Sequence, residues 1–115
     1  MLPKKRKVSR RLFPSLLRKG RVFHSPNFTA RALVAKEGEN TRCAVIVSKS
    51  VAKSAAQRGT LKRRAYTILR SLSADDSYPL VVAFHAKSGA TTIPFEEIQR
   101  EITHLYSQMG ALRAR

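Results

Sequence analysis

Apolar residues recur along this chain at spacings that predict three helices and three strands. Ser54 and Gln57 have the spacing of a helix capping box, so we expect the central helix to begin near Ala55. Its apolar positions recur every three or four residues and form a single stripe that must face a core. The stripe consists of Leu61, Ala65, Ile68, Leu69 and Leu72.

Two further helices flank the central one in sequence. A short helix is predicted over 10–19, with Pro14 in its first turn and Gly20 at its end. Its apolar side comprises Leu12, Phe13, Leu16 and Leu17. Near the C-terminus, Pro94 is expected to open a helix that Gly110 closes. The apolar stripe of that helix comprises Phe95, Ile98, Ile102, Leu105, Tyr106 and Met109.

The strand patterns lie between these helices. Residues 28–36 and 41–49 read as strands joined by a turn-rich tetrapeptide, which predicts that they are antiparallel neighbours in a hairpin. Residues 80–84 are apolar at every position, as in a central strand, and this strand should be the best buried. A short additional strand is possible over 21–24.

The order α-β-β-α-β-α predicts an α+β fold, a two-layer α-β sandwich in which helices pack on a small mixed sheet. A chain of 115 residues has room for one domain. Residues 1–9 are a charge run without periodicity and are expected to form a flexible basic arm. Residues 10–110 would form the single domain, and residues 111–115 a tail.

Positive charge is concentrated in the first part of the chain. The sequence contains 23 Lys and Arg against 7 Asp and Glu, for a net charge of +16, and residues 1–70 alone carry +17. No acid lies between Asn40 and Ala74 to balance the cations of the central helix. These cations could be an ordinary solvated face, but a localised excess of one sign favours binding of a polyanion. Nucleic acid is the first candidate and an anionic membrane the second.

Several functional classes are disfavoured. No apolar stretch approaches 18 residues and no signal-peptide core follows the N-terminus, so we expect a cytoplasmic protein without a membrane partner. The lone Cys43 is expected to be a small buried hydrophobe, and the three histidines are scattered. The acids Asp75 and Asp76 could hold Mg²⁺, but loop acids are commoner than metal sites. We therefore expect no catalytic residue and no metal site on the protein.

Four features in order resemble the bacterial ribonuclease P protein subunit: MLPKKRKVSRRLF, the RKG that ends the first helix, AVIVSKSV before the basic helix, and YPLVVAFHAKSG leading to PFEEIQREITHLY. The resemblance implies a protein that binds the ribonuclease P RNA and contacts the single-stranded 5′ leader of precursor tRNA. The RNA, with Mg²⁺, would then carry out the cleavage, and the protein would hold no cofactor tightly. It also implies a left-handed β-α-β crossover.

The resemblance extends to the basic helix, where the family has an Arg-Asn-Arg box followed by Lys-Arg. Here Arg58, Lys62 and Arg63 match, whereas Gly59 and Thr60 replace the Asn and the second Arg. The predicted RNA-binding residues are Arg58, Lys62, Arg63, Arg64, Arg70, Lys49 and Lys53.

The family's leader cleft uses aromatic residues of the first helix. Phe13 matches one of them, and Leu17 occupies the place of a second. Phe28 and Arg31 on the sheet are expected to be their neighbours. The alternative hypothesis is a ribosomal or chaperone-like RNA-binding protein that kept the fold but lost the original RNA. A nuclease made of protein alone would need clustered acids that the sequence does not offer.

Overall fold

The computed structural model describes residues 2–73 and 79–113, with the backbone alone at position 113. The helices and strands are α1 (Phe13–Lys19), β1 (Arg21–His24), β2 (Phe28–Val34), β3 (Arg42–Ile46), α2 (Ala55–Leu72), β4 (Leu80–Ala86), α3 (Phe95–Gln108) and α4 (Gly110–Arg113). Short 3₁₀ turns span Lys4–Arg6 and Ser88–Thr91. The predicted α+β class is confirmed, and the additional strand β1 is present.

The four strands form one mixed sheet in the order β1-β2-β4-β3. The predicted hairpin of β2 and β3 is wrong, because β4 lies between them, antiparallel to β2 and parallel to β3. The central place suits β4 because its first five residues are buried on both faces of the sheet. The loop between β2 and β3 passes β4 and turns at Gly38, whose φ of 86° favours glycine.

The main core lies between one face of the sheet and the helices α2 and α3. Phe28, Val82 and Phe84 contribute to it from the sheet, and Leu69 and Ile102 from the helices. A smaller cluster forms on the opposite face, where Leu16 of α1 packs with Ala44, Val81 and Ala83. The predicted two layers therefore describe the sheet with α2 and α3, and α1 adds a partial third layer.

The central helix begins where its capping signal predicted. The Ser54 hydroxyl accepts a hydrogen bond from the Gln57 amide at 3.0 Å, and α2 starts at Ala55. The apolar stripe is buried from Leu61 to Leu69 and half-buried at Leu72. From the same face, the Tyr66 hydroxyl accepts a hydrogen bond from the amide of Val45 at 3.0 Å. This bond satisfies a backbone donor of the edge strand β3.

The N-terminal segment does not extend freely from the domain as predicted. Leu2 is buried in the main core, and Lys7 forms a parallel bridge with Cys43 of β3. An Arg6 guanidinium nitrogen donates to the carbonyl of Ser73 at 2.9 Å. The segment thereby covers the outer edge of β3, which would otherwise present unpaired backbone groups.

The C-terminal helix α3 buries the predicted stripe from Ile98 to Met109. Gly110 begins the short helix α4 rather than ending the fold, and Leu112 of α4 joins the main core. The predicted tail from 111 is thus partly packed, because Leu112 finds apolar neighbours there.

The left-handedness of the β3-α2-β4 crossover stays a prediction. No helix in the described ranges combines the length and hydrophobicity needed to span a bilayer.

A buried carboxylate joins α3 to the turn between β1 and β2. Glu101 is 5% exposed and accepts hydrogen bonds from the Ser25 hydroxyl at 2.6 Å, the Asn27 amide at 2.9 Å and the Asn27 side chain at 2.6 Å. Burial alone would raise the pKa of Glu101, but these bonds and the nearby Arg100 charge together lower it. The ionised carboxylate therefore fixes the turn.

Candidate nucleic-acid interface

The cations of α2 lie on the side of the helix away from its buried stripe. Arg63, Arg64 and Arg70 are exposed, and Lys62 is half-buried. No ion pair joins Lys62, Arg63 or Arg64 to an acid within the described part of the chain. By contrast, Arg100 on α3 forms an ion pair with Glu97. Lys62, Arg63 and Arg64 are therefore available to an external anion.

The loop that precedes α2 extends this cationic surface. Lys49 and Lys53 are exposed within 47–54, the segment between the end of β3 and the start of α2. Arg58 braces this loop: one of its guanidinium nitrogens donates to the carbonyls of Ala52 and Lys53, each at 2.9 Å. Arg58 is half-buried, and its guanidinium group holds the loop in place through these hydrogen bonds. We define the basic surface as Lys49, Lys53, Lys62, Arg63, Arg64 and Arg70.

Thr60, which stands where the family's box has its second Arg, interacts locally within α2. Its hydroxyl donates to the Ala56 carbonyl at 3.0 Å and accepts a hydrogen bond from Arg63 at 3.2 Å. Thr60 therefore restrains the direction of the Arg63 side chain. A restrained cation loses less conformational entropy when it binds a phosphate.

The second candidate surface lies on the α1 face of the sheet. The paired register places Val22, Arg31, Ala83 and Ala44 in one row across the four strands, and His24, Thr29, His85 and Ile46 in the next. Leu16 of α1 covers Ala44 and Ala83, whereas Arg31 and Thr29 are half-buried. Phe13 packs against the same small cluster but keeps part of its surface exposed, and Leu17 is 52% exposed.

We call this second surface the open sheet face, defined by Phe13, Thr29, Arg31, His24 and His85. It brings together Phe13 and Arg31 of the four residues predicted for the leader cleft, whereas Leu17 is exposed on α1. The prediction for Phe28 is wrong, because Phe28 is fully buried in the main core on the other side of the sheet. Phe28 and Arg31 are three positions apart in one strand and therefore point to opposite faces.

The sequence reasoning missed the polar row beside Arg31. The Thr29 hydroxyl oxygen lies 3.5 Å from Nδ1 of His24. Thr29 is also opposite His85 in the register between β2 and β4. The Nδ1 atom of His85 is buried and has no protein partner among the described residues. Burial and the Arg31 charge lower the pKa of His85, so this imidazole is neutral at pH 7. Only the strand register brings these residues together.

The loop that carries Lys49 connects the two surfaces at one end of the sheet. Ile46 ends β3 in the same row as His85, and the chain then enters the loop that carries Lys49. A span of three residues reaches at most about 10 Å. Lys49 of the basic surface therefore lies close to the row of the open sheet face that contains His85.

The remaining titratable groups do not point to protein-borne chemistry. Cys43 is buried as predicted, and burial raises the pKa of its thiol to about 12, so it is unreactive near pH 7. Groups of three or more potential metal ligands do not occur in the described residues. Asp75 and Asp76, the acids that could hold Mg²⁺, lie outside those residues.

Comparisons with known proteins agree on one family. Residues 1–110 match the family model described as Ribonuclease P, while no curated protein sequence matches. The RNase P protein of Staphylococcus aureus has a similar structure, with a TM-score of 0.80 and 19% identity over 92% of this chain and 95% of that one. The Thermotoga maritima RNase P protein, solved in complex with 1-(4-fluorophenyl)-2-thiourea, has a TM-score of 0.76 and 16% sequence identity. That match covers 86% of this chain and 94% of the T. maritima chain.

Proposed function

Because this chain belongs to the ribonuclease P protein family, we propose that it binds the ribonuclease P RNA through its basic surface and the 5′ leader of precursor tRNA through its open sheet face. Family membership makes the chain a subunit of the ribonuclease P holoenzyme, with an RNA partner. The direct contacts with that RNA and with precursor tRNA are the proposal. The observations that carry it are the α2 cations Lys62, Arg63 and Arg64, which have no acid partner in the described chain, and a half-buried sheet face that contains Phe13 and Arg31.

Each surface fits a different part of the RNA substrate. Exposed Lys and Arg side chains contact phosphates without regard to sequence, and such contacts set affinity and orientation. An unpaired nucleotide can also place its base on an aromatic ring, which a base inside a duplex cannot do. Phe13 offers such a ring, and Arg31 offers a cation for the neighbouring phosphate. Sequence preference for the leader should therefore be weak.

The cleavage chemistry is assigned to the RNA with its Mg²⁺. The protein's contribution is to hold the leader and to reduce repulsion between the two RNA chains, because its cations neutralise phosphates where they approach each other. This assignment predicts a protein that lowers the Mg²⁺ requirement. We expect the protein to work in the cytoplasm.

Reconstitution tests this function. The purified protein, added to the ribonuclease P RNA of its own organism, is expected to lower the Mg²⁺ concentration needed for half-maximal cleavage of precursor tRNA by a few-fold or more. Cleavage is followed on a gel over a Mg²⁺ titration with and without protein. An unchanged Mg²⁺ requirement would favour the alternative of an RNA-binding protein without this role. Cleavage by the protein alone would refute the assignment of chemistry to the RNA.

Phe13 provides a test of leader binding. Phe13→Leu removes the ring but keeps an apolar side chain against the small cluster, so the fold should be retained. Affinity for a single-stranded leader oligonucleotide should fall by roughly tenfold, the loss expected for one stacked base. Fluorescence anisotropy measures this affinity, and a blunt RNA duplex of equal length serves as control. If the variant bound the single-stranded oligonucleotide with unchanged affinity, Phe13 would have a structural role and no role in leader binding.

A further inference from the structure

A small cleft opens beside the basic surface, between the first half of α2 and the 3₁₀ turn Ser88–Thr91. Its volume is about 280 Å³. The α2 side is lined by Ala56, Gln57, Thr60, Leu61 and Arg64. Ala90 and Thr91 line the opposite wall.

The lining combines an apolar floor with polar groups and one cation. Leu61 and Ala90 are 3% and 1% exposed and provide an apolar surface, and Gln57 and Thr91 add hydrogen-bonding groups. Arg64 is exposed, and none of the lining residues is an acid. This arrangement suits a flat, partly apolar ring that carries its own hydrogen-bonding edge and an attached anion.

From this geometry we propose that the cleft binds one unpaired nucleotide of the RNA that lies along α2, with its base in the cleft and its phosphate on Arg64. The inference rests on the proposed function and adds a subsite to it. The volume is slightly below the range of sites for drug-sized ligands, which suits a single base better than a peptide segment. The net charge of +17 over residues 1–70 also favours an anionic ligand.

Thr60 keeps the cleft open on its α2 side. A long side chain at position 60 would enter the cleft from its α2 wall, whereas Thr60 turns its hydroxyl back to the Ala56 carbonyl. The short side chain of Thr60 thus leaves room beside Arg64.

Two neighbouring alanines provide a matched test. Ala55 and Ala56 are both exposed in the first turn of α2, but Ala56 lines the cleft and Ala55 does not. The probes are an RNA hairpin with one bulged adenosine and the same hairpin without the bulge. The wild-type protein should bind the bulged hairpin roughly fivefold to tenfold more tightly, as expected when a base buries part of its surface. Ala56→Leu should abolish this preference, and Ala55→Leu should retain it.

A substitution at Thr60 separates the cleft from simple charge attraction. Thr60→Arg adds a cation to α2 and should strengthen binding to the unbulged hairpin, yet it should remove the preference for the bulge. A bulge preference that survives in both Ala56→Leu and Thr60→Arg would overturn the assignment. If the wild-type protein bound both hairpins equally, the assignment of the cleft as a nucleotide site would be wrong, but the proposed function would stand. If the protein bound no RNA at all, the proposed function itself would be wrong.

Discussion

The combined substitution Lys62→Ala, Arg63→Ala and Arg64→Ala is expected to weaken binding to the ribonuclease P RNA by roughly tenfold to a hundredfold at moderate salt. These side chains are not neutralised by acids of the described chain, so each can contact a phosphate directly. All three project from α2, where truncation at Cβ leaves the buried stripe intact. Filter binding measures the dissociation constant, and circular dichroism checks that the helix content is unchanged.

A second variant, which removes two cations from other parts of the chain, distinguishes local contact from total charge. Arg100 is paired with Glu97 on α3, and Lys36 lies next to Glu37 in the loop after β2. The double variant Lys36→Ala and Arg100→Ala also lowers the net charge, but it removes cations that have acids nearby. It should change RNA affinity by less than about threefold. A comparable loss in both variants would mean that overall charge, rather than the basic surface, governs binding.

Glu101→Gln is expected to produce the largest loss of stability among the substitutions considered, about 3 kcal/mol of unfolding free energy. The carboxylate accepts three hydrogen bonds from Ser25 and Asn27, whereas an amide would face some of those donors with its own N–H groups. The corresponding fall in melting temperature is about 10–20 °C. Thermal unfolding monitored by circular dichroism measures it, and the exposed Glu96→Gln serves as control.

The loss should also depend on pH. Since the pKa of Glu101 is lowered in the folded protein, its stabilisation is fully present above the unfolded carboxyl value and is lost as pH falls through the folded value. The wild type and Glu101→Gln should therefore differ most near neutral pH and converge in acid. A difference that stays constant down to acid pH would show that the carboxylate charge is not what stabilises the turn.

Local signals in the sequence were sufficient for much of the fold. Ser54 and Gln57 located the start of α2, and the periodic stripes of α2 and α3 became the main core. Local signals did not predict the strand order, because a strand from later in the chain is inserted between β2 and β3. The turn at 37–40 suggested a hairpin, but β4 is more apolar than either neighbour and takes the central position between β2 and β3. Insertion of a strand is a tertiary event without a local signal.

The candidate sites likewise contain residues that the sequence could identify and residues that it could not. The cations of α2 could be read from helical periodicity, since they lie opposite an apolar stripe. Strand alternation could also have excluded Phe28, which cannot share a face with Arg31. In contrast, His85, Thr29 and His24 meet only through the strand register, and Glu101 meets Asn27 across 74 residues of sequence. These contacts depend on the topology and could not have been inferred from spacing.

The salt dependence of RNA binding tests the central claim that the basic surface holds RNA phosphates. The dissociation constant for the ribonuclease P RNA is measured over a range of KCl concentrations for the wild type and for the variant lacking the cations of Lys62, Arg63 and Arg64. The slope of log affinity against log salt is expected to be steep for the wild type and shallower by roughly two to three units in the variant, because fewer counterions are released. Parallel lines for the two proteins would contradict the account.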